Sequence, residues 1–580
     1  MKRSPQPGRH RVEAALRKPP NILYGVDETP PLGINALSGL QHVALMAVYL
    51  VFPGLLAQAS GSPPEVAASV VSMTLIVLAI GTLLQASPLG SGFLCQPVPS
   101  VVYFVPSLVA VKHGGLPLVF GMTLAAGLLE VALARALRRL RALLPAEIAG
   151  LVVLLVGIVT GVVGLRTALG AGEHASAPAP IDLGLAVATL AIMVALNVWG
   201  RGSLRLFCVL IGMAAGYVAA WLLGRIGGPD WASVATAPLL AVPGLSHLGW
   251  TFDATFALPF AIAGVAAALK TIGNVTTSQK VNDADWVRAD MRSLSRGVAA
   301  DGLGTVVAAA LGAHGVNSAT GAVGLATATG VTSRRVAYAV AGILLALAFV
   351  PKLGLLFSLM PRPVAGAALV FTSTFIVING LVIMTSRLLD ARKTIVIGLA
   401  IVFGLAVEMY PGLLEILPPA ARVALGTSVV LGTLVGLCLN MLFRIGLRRT
   451  GSITVQPGDV DPDALEQFMD KQGAAWGARR DVIERAKFNL EQSIETIASS
   501  GAACGPLEVE ATFDEFNLDV RVSYDGPLLE LPEKRPSNEE IMDSEAGERK
   551  LAGFILRRFA DRVAASHKGV RSTILFHFDH

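Results

Sequence analysis

The sequence predicts an all-α polytopic membrane protein with a small α/β domain at its C-terminal end. Three observations lead there. Hydrophobic residues make up 53% of the 580-residue chain and charged residues only 15%, with a mean hydropathy of +0.63, whereas a soluble protein carries roughly a quarter charged residues. The apolar residues come in blocks of about 20, the length that crosses a hydrocarbon core. Most acidic residues lie after Gly451, where the composition becomes that of a soluble domain.

Apolar blocks begin near Ala36, Glu65, Phe93, Leu116, Leu144, Asp182, Leu204, Ala254, Arg296, Val316, Arg335, Arg362, Lys393 and Val423, fourteen segments in all. Two of them are broken. The third opens with CQPVPS, Cys95 to Ser100, and the tenth falls within AHGVNSATGAVGLATATGVTSRR, Ala313 to Arg335. Each is third in its set of seven, the pattern of two inverted repeats whose interrupted segments hold a substrate. Irregular backbone survives in a bilayer only where protein buries it or it lines a cavity. A half-helix beginning there points its free N–H groups at the ligand. Asn317, Ser318 and Thr320 precede or open that half-helix, where each could cap it or face a substrate.

Cations recur at every second loop. They are Arg135, Arg138, Arg139 and Arg141; Arg201 and Arg205; Lys280, Arg288, Arg292 and Arg296; Arg334 and Arg335; Arg387, Arg392 and Lys393; and Arg444, Arg448 and Arg449. Odd loops hold scattered ones, such as Lys112, Arg166 and Lys352. This alternation predicts an even number of spans and both termini in the cytoplasm; the location expected is the cell (inner) membrane. The alternation also accounts for the net charge of +5 without nucleic acid. Glu130 and Glu147 fall near predicted segment ends and read as interfacial, and His314 as a bystander in an outer loop or at the strand start. Cys95, Cys208, Cys438 and Cys504 show neither pairing nor metal spacing and read as reduced packing residues.

The organisation expected is a cytoplasmic tail over 1–35, a membrane domain over 36–446, a linker over 447–475 and a soluble domain over 476–580. In the last, apolar spacing predicts a helix over Arg479–Ser499, strands LEVEATF and LDVRVSY around the turn DEFN, a helix over Ser544–Ala565 and a final strand STILFHF. No P-loop pattern occurs, so ATP-driven transport has no support.

Several segments together carry a family resemblance: Gln41-His42 in the first block, LPFAIAGVAAALKTIGN in the eighth, SLSRGVAADGLGTVVAAALG after it, TGVTSRRV ending the tenth, and LLFSLMPRPVAGAALV. Over residues 33–445 the chain resembles the nucleobase–ascorbate transporter family, also called nucleobase:cation symporter-2. The resemblance implies fourteen segments in two inverted repeats of seven, folded as a core and a gate domain. Short strands in segments three and ten lie next to the substrate. It also implies a homodimer that takes up uracil, xanthine, urate or a related base with H+ or Na+, and no other cofactor.

The family's site residues carry over with departures. The eighth-segment Glu that binds the base is Lys270 here, and Asn274 stands one turn on. The tenth-segment pattern of Gln or Glu, Asn, any residue and Gly becomes Gly321, Ala322, Val323 and Gly324. The third-segment aromatic becomes Val101, beside Ser100. Gln41, His42 and Asp301 fall at supporting or coupling positions. Lys offers donors only, and with two half-helix N-termini aimed at it the site favours an anion. The other reading of Lys270 is that it snorkels to the cytoplasmic surface or pairs with Asp301.

The tail resembles the ATP-binding domain of anti-sigma-factor kinases and histidine kinases. Glu491 matches the helix Glu and Asp525-Gly526 the adenine contact, but Glu495 replaces the magnesium-holding Asn and the Gly-rich lid is reduced to Gly553. Magnesium–ATP binding is therefore not expected, and a degenerate domain for regulation, dimer stability or a cytoplasmic partner is. The sequence points to a secondary transporter of a base or a small anion, not an enzyme. The alternatives are a transporter-like sensor signalling through the tail and an anion transporter or channel.

Overall fold

The computed structural model describes residues 17–140, 146–170, 179–201, 203–227, 232, 234–286, 289–385, 389–443, 449–457, 462–499, 501, 503–514, 517–537 and 545–579. Arg141, Arg288, Arg387, Arg444 and Arg448 of the basic loops lie outside them. The chain divides into two units, Met1–Asn440 and Met441–His580.

The first unit is helical except for two short strands. Its elements are α1 (Leu32–Val48), α2 (Val51–Ala59), α3 (Pro64–Ala86), β1 (Pro97–Pro99), α4 (Val101–Leu140), α5 (Ala146–Ala168), α6 (Pro180–Trp199) and α7 (Cys208–Leu222). Then come α8 (Ala257–Asn282), α9 (Met291–Ala310), β2 (Val316–Ser318), α10 (Thr320–Thr329), α11 (Val336–Ala348), α12 (Pro351–Ser358), α13 (Arg362–Met384), α14 (Ala391–Met409) and α15 (Ser428–Phe443). Among the described residues seven helices are long and apolar enough to cross a membrane, or eight if the α11–α12 pair, bent by 85°, is one span. α7 and α15 are shorter apolar helices. The fourteen expected blocks are therefore matched in part.

Both broken segments form as the Pro and Gly residues dictate. A strand of three residues leads directly into a helix in each case, β1 into α4 and β2 into α10. The third and fourth blocks are continuous in α4, which breaks at Gly114 and Gly115. Gly115 has φ +66°, a conformation that a residue with a Cβ adopts only under strain. α1, α3, α4, α8, α9, α10 and α11 pack around the strand pair, while α5, α6, α7, α13 and α14 pack mainly on one another.

Glycine sets the closest of these approaches. A Cβ on Gly150 would lie 2.3 Å from the Met384 nitrogen, and one on Gly380 2.4 Å from the Leu154 nitrogen. Small residues thus let the α5 and α13 backbones touch, where dispersion replaces the missing hydrophobic drive.

Four expectations need correction here. Residues 17–34 are more than a tail. Tyr24 bridges Val331, Leu23 N donates to Gly330 O at 2.8 Å, and Thr332 N donates to Tyr24 O at 2.9 Å. The extended N-terminal backbone thus satisfies polar groups of the loop after α10 that would otherwise need water. Glu130 and Glu147 are buried, not interfacial. Glu147 pairs with Lys393 at 2.8 Å, and Glu130 has no such partner. Cys438 and Cys504 are exposed, so only Cys95 and Cys208 are packing residues.

The second unit is one antiparallel sheet with helices. Its strands are β3 (Arg449–Val455), β4 (Leu507–Phe513), β5 (Asn517–Asp525), β6 (Arg562–Lys568) and β7 (Arg571–Asp579), in the order β3-β4-β5-β7-β6. Its helices are α16 (Pro462–Trp476), α17 (Arg480–Ser499) and α18 (Glu545–Phe559). α17 packs its apolar face, with Ile483, Leu490, Ile494 and Ile497, on Val509, Val520 and Phe576 of the sheet. Two expectations change. The stretch 447–475, read as a linker, supplies β3 and most of α16. Buried Lys487 of α17 ties that helix down, reaching Glu466 at 2.8 Å and Asp470 at 3.0 Å. The last helix ends at Phe559, because Arg562–Lys568 pairs with β7 instead.

Two predictions follow from these contacts. Gly380→Ala should lower the thermal unfolding midpoint of the solubilised protein, by about 1–3 kcal/mol of overpacking. Gly342→Ala, whose Cβ meets nothing within 4 Å, should not lower it. In the sheet, His577 Nδ1 bonds Asp519 at 2.6 Å, and that bond, then Asp579, lifts the imidazole from 6.5 to about 9. The raised folded value makes the contribution whole below about pH 6.5 and lost as pH climbs toward 9. The two carboxylates are partly exposed, so the amount is about 1 kcal/mol. Hydrogen exchange of β5 and β7, corrected for intrinsic rate, should show protection falling over that window in the wild type and flat in His577→Gln.

Candidate substrate site

The strand pair positions the site. β1 and β2 are antiparallel, with Pro97 opposite Ser318, Val98 opposite Asn317 and Pro99 opposite Val316. Pro97 and Pro99 cannot donate, so the ladder is short. It is extended at its ends by Ser100 N to Gly315 O and Ala319 N to Gln96 O, both 2.8 Å. Because α4 and α10 start immediately after antiparallel strands, their N-termini meet at the pair and their axes diverge.

One carboxylate fastens this arrangement. Asp301, on α9 and buried, accepts from the Thr271 hydroxyl, from Ser318 N at 2.8 Å, from Gln85 Nε2 at 3.3 Å and from Asn317 Nδ2 at 3.4 Å. It therefore joins α3, α8, α9 and β2. Gln85 also donates to Gly297 O at 2.8 Å.

Lys270 is half-buried on α8, and its Nζ donates to Asn317 Oδ1 at 2.7 Å. No ion pair joins it to Asp301. The Asn317 amide stands between them, so neither direct pairing with Asp301 nor snorkelling describes the side chain. Asn274 is committed. Its Nδ2 donates to Ser318 O at 3.0 Å and Oγ at 2.9 Å, and its Oδ1 accepts from Thr320 at 2.8 Å. The expected capping does not occur. The residue before α10 is Ala319, which has no side-chain cap, and Ser318 and Thr320 hold Asn274 instead. α10 therefore begins with uncapped N–H groups.

The first turn of α10 faces open space. Gly321 and Gly324 are exposed, and a Cβ would meet nothing within 4 Å at Gly324 and only Leu45, at 3.6 Å, at Gly321. Gly273 on α8 is similarly clear. Ala322, Val323 and Val101 are buried and turn inward. His42 is buried beside Gln96, whereas Gln41 is half-buried. Both amide atoms of Gln96, the hydroxyl of buried Ser100 and Nδ1 of His42 have no partner among the described residues. Among the described residues the arrangement thus offers one ammonium, unspent polar groups and backbone N–H donors, and the Asp301 carboxylate is taken up by its four donors.

His314 is no bystander. It is buried, its Nε2 lies 2.9 Å from Ser100 O, and its ring meets Phe104 edge-on, which fixes the start of α4. Sequence reasoning also missed Gln85, Gln96 and Thr271. Gln85 and Gln96 interrupt apolar stretches and Thr271 directly follows Lys270, and polar residues in such blocks were the available signal.

In the second unit Glu491 is half-buried on α17, where burial and then Glu466 push its carboxyl up. Asp525 is exposed at the end of β5. Gly526 N donates to Val570 O at 2.8 Å, and its carbonyl accepts from Ser572 at 2.7 Å. No hydrogen bond joins Glu491 to Asp525 or Gly526 among the described residues, so the three do not form one contact set.

Comparison with known proteins fits the membrane unit. A model described as "Permease family", Xan_ur_permease, matches residues 33–413. The chain belongs to this permease family. It is 29% identical to xanthine permease XanP of Escherichia coli K12 over 440 residues, covering 73% of this chain and 94% of that one. It is 26% identical to uric acid permease PucJ of Bacillus subtilis 168 over 433 residues, covering 73% and 94%. Among solved structures, the transmembrane domain of the cyanobacterial bicarbonate transporter BicA aligns at TM-score 0.44 and 15% identity, covering 70% of this chain and 96% of that one. As a member of the family it is a multi-pass membrane protein.

Asp301→Ala would leave four donors around an empty acceptor position. Removing one partner of such a buried set costs about 3–5 kcal/mol. The thermal midpoint of the solubilised variant should fall accordingly, and Asp301→Asn, which keeps one acceptor oxygen, should fall less.

Proposed function

We propose that the chain is a secondary transporter of the nucleobase–ascorbate type that carries an oxidised purine, with the urate-like monoanion favoured over neutral bases. The observation that carries the proposal is Lys270. Its ammonium bonds Asn317 of β2, three residues ahead of α10, whose first turn exposes Gly321 and Gly324 and whose dipole adds positive potential there. Relatives that are xanthine and uric acid permeases support the purine class.

In this reading Lys270 bonds the anionic edge of the purine. The N–H groups that open α10, at Thr320 and Gly321, and those of the α4 start near Ser100 take its carbonyl oxygens, the exposed Gly324 leaves room beside them, and Asn274 keeps the strand register under them. Fourteen segments form a core and a gate, and the core moves against the gate for alternating access. The protein works as a homodimer in the inner membrane with both termini cytoplasmic, and couples to H+ or Na+. The second unit is a degenerate ATPase-like domain that regulates the transporter or meets a cytoplasmic partner.

Thermal-shift and equilibrium binding with urate, xanthine and uracil test the substrate. Urate should stabilise the protein most, and stabilisation by uracil alone would sink the anion assignment. Lys270→Gln should weaken urate about 10–100-fold, the worth of one charge-assisted bond of about 1.5–3 kcal/mol. Unchanged affinity would remove Lys270 from the site.

A further inference from the structure

Glu130 is fully buried in the second limb of α4, less than one turn past the point where Gly127 and Gly302 bring α4 against α9. Its Oε2 accepts from the Tyr103 hydroxyl at 3.3 Å, and its Oε1 has no partner among the described residues. The contrast is with Asp301 on α9, the helix packed against α4. Asp301 is surrounded by four donors, the environment of an ionised carboxylate. Glu130 has one long hydrogen bond and no other partner among the described residues, and an ion in that setting is far costlier than a neutral acid.

The other groups facing Glu130 do not supply a countercharge. The first limb of α4 contributes Tyr103. α9 contributes Asp301, and α8 contributes Lys270, which is turned to Asn317. α2 carries no ionisable residue. α5 keeps Glu147 on Lys393 and Arg166 near Glu408. His247 packs against Phe120, ten residues or about 15 Å along the helix.

We propose that Glu130 is a proton-binding site of the transport cycle, with Tyr103 as its positioning residue. The carboxylate takes up one proton to become the neutral acid, and only then does α4 pack closely against α9 as seen here. Hydration of this interface in another state releases the same proton, without any covalent step. With Lys270 and Asp301 balancing each other, the core is neutral when Glu130 is protonated. An anionic substrate at Lys270 then makes proton release less favourable, which ties the two movements together. The coupling part of this inference rests on the transport reading above; the proton site itself does not.

The test has two readouts on the full-length protein. Infrared spectroscopy of purified wild type near pH 7 should show a protonated-carboxyl C=O band that Glu130→Gln removes and Asp301→Asn keeps. A spectrum unchanged by Glu130→Gln overturns the proposal. In proteoliposomes fed radiolabelled xanthine or urate, a one-unit pH gradient, alkaline inside, should raise wild-type accumulation up to about tenfold for one proton. Glu130→Gln, an isostere that still accepts from Tyr103, should lose that response while keeping the wild-type melting profile. Accumulation in Glu130→Gln as gradient-driven as in wild type also overturns it. If neither purine enters with wild type while the band behaves as stated, the substrate reading fails and the proton site stands.

Discussion

The Asp301 carboxylate is the contact on which the membrane unit's centre depends. Two three-residue strands, one of them holding two prolines, cannot define a geometry by themselves. Asp301 supplies what the ladder lacks. It takes the Ser318 N–H directly and draws in Thr271, Asn317 and Gln85, so three helices are referenced to one strand. In a low-dielectric interior such a saturated network is strong, and it leaves little freedom for the helix starts it supports. The positions of Ser100 and Gly321, the two half-helix mouths, follow from it.

That network also dictates the charge shown to a ligand. An ammonium can only donate, so Lys270 fixes the Asn317 amide with its oxygen outward and its Nδ2 toward Asp301 and Ala267 O. A carboxylate at position 270 would face that oxygen, and the amide could turn only by breaking its bonds to Asp301 and Ala267. Lysine is therefore integral to the hydrogen-bond pattern, not a surface charge that strayed inward. The same logic separates the two buried acids: Asp301 is provided with donors and Glu130 is not.

The sequence carried the architecture well where the signal is periodic or conformational. Blocks of about 20 apolar residues gave the helices, the prolines of CQPVPS and glycines of the tenth segment gave the breaks, and alternation gave β4, β5 and β7. It carried Lys270, Asn317 and Asp301 as candidates, because polar residues in apolar blocks are conspicuous. What it hid is direction. Asn274 and Thr320 looked like ligands and instead satisfy each other. Glu130 looked interfacial because its place along α4 depends on where Gly114–Gly115 bends the chain. β3 and α16 were invisible as domain elements because each is held by partners far away in sequence, β4 for one and Lys487 for the other. Partner choice is not a local property of the chain.

The replacement of large recognition side chains by glycine changes what kind of selectivity is available. A carboxylate and an amide read donors and acceptors one by one, and a mismatch leaves a buried group unpaired. Gly321 offers a backbone N–H, and Gly321 and Gly324 offer space, which read charge and outline instead. In the proposed reading, with those donors fixed by Asp301 through β2 and one ammonium beside them, discrimination falls on the ligand's charge first and its shape second. A proton bound at Glu130 then has a physical task beyond energising uptake. It keeps the core electrically neutral before the substrate arrives, so that Lys270's field is directed at the opening and not spent on a second buried anion.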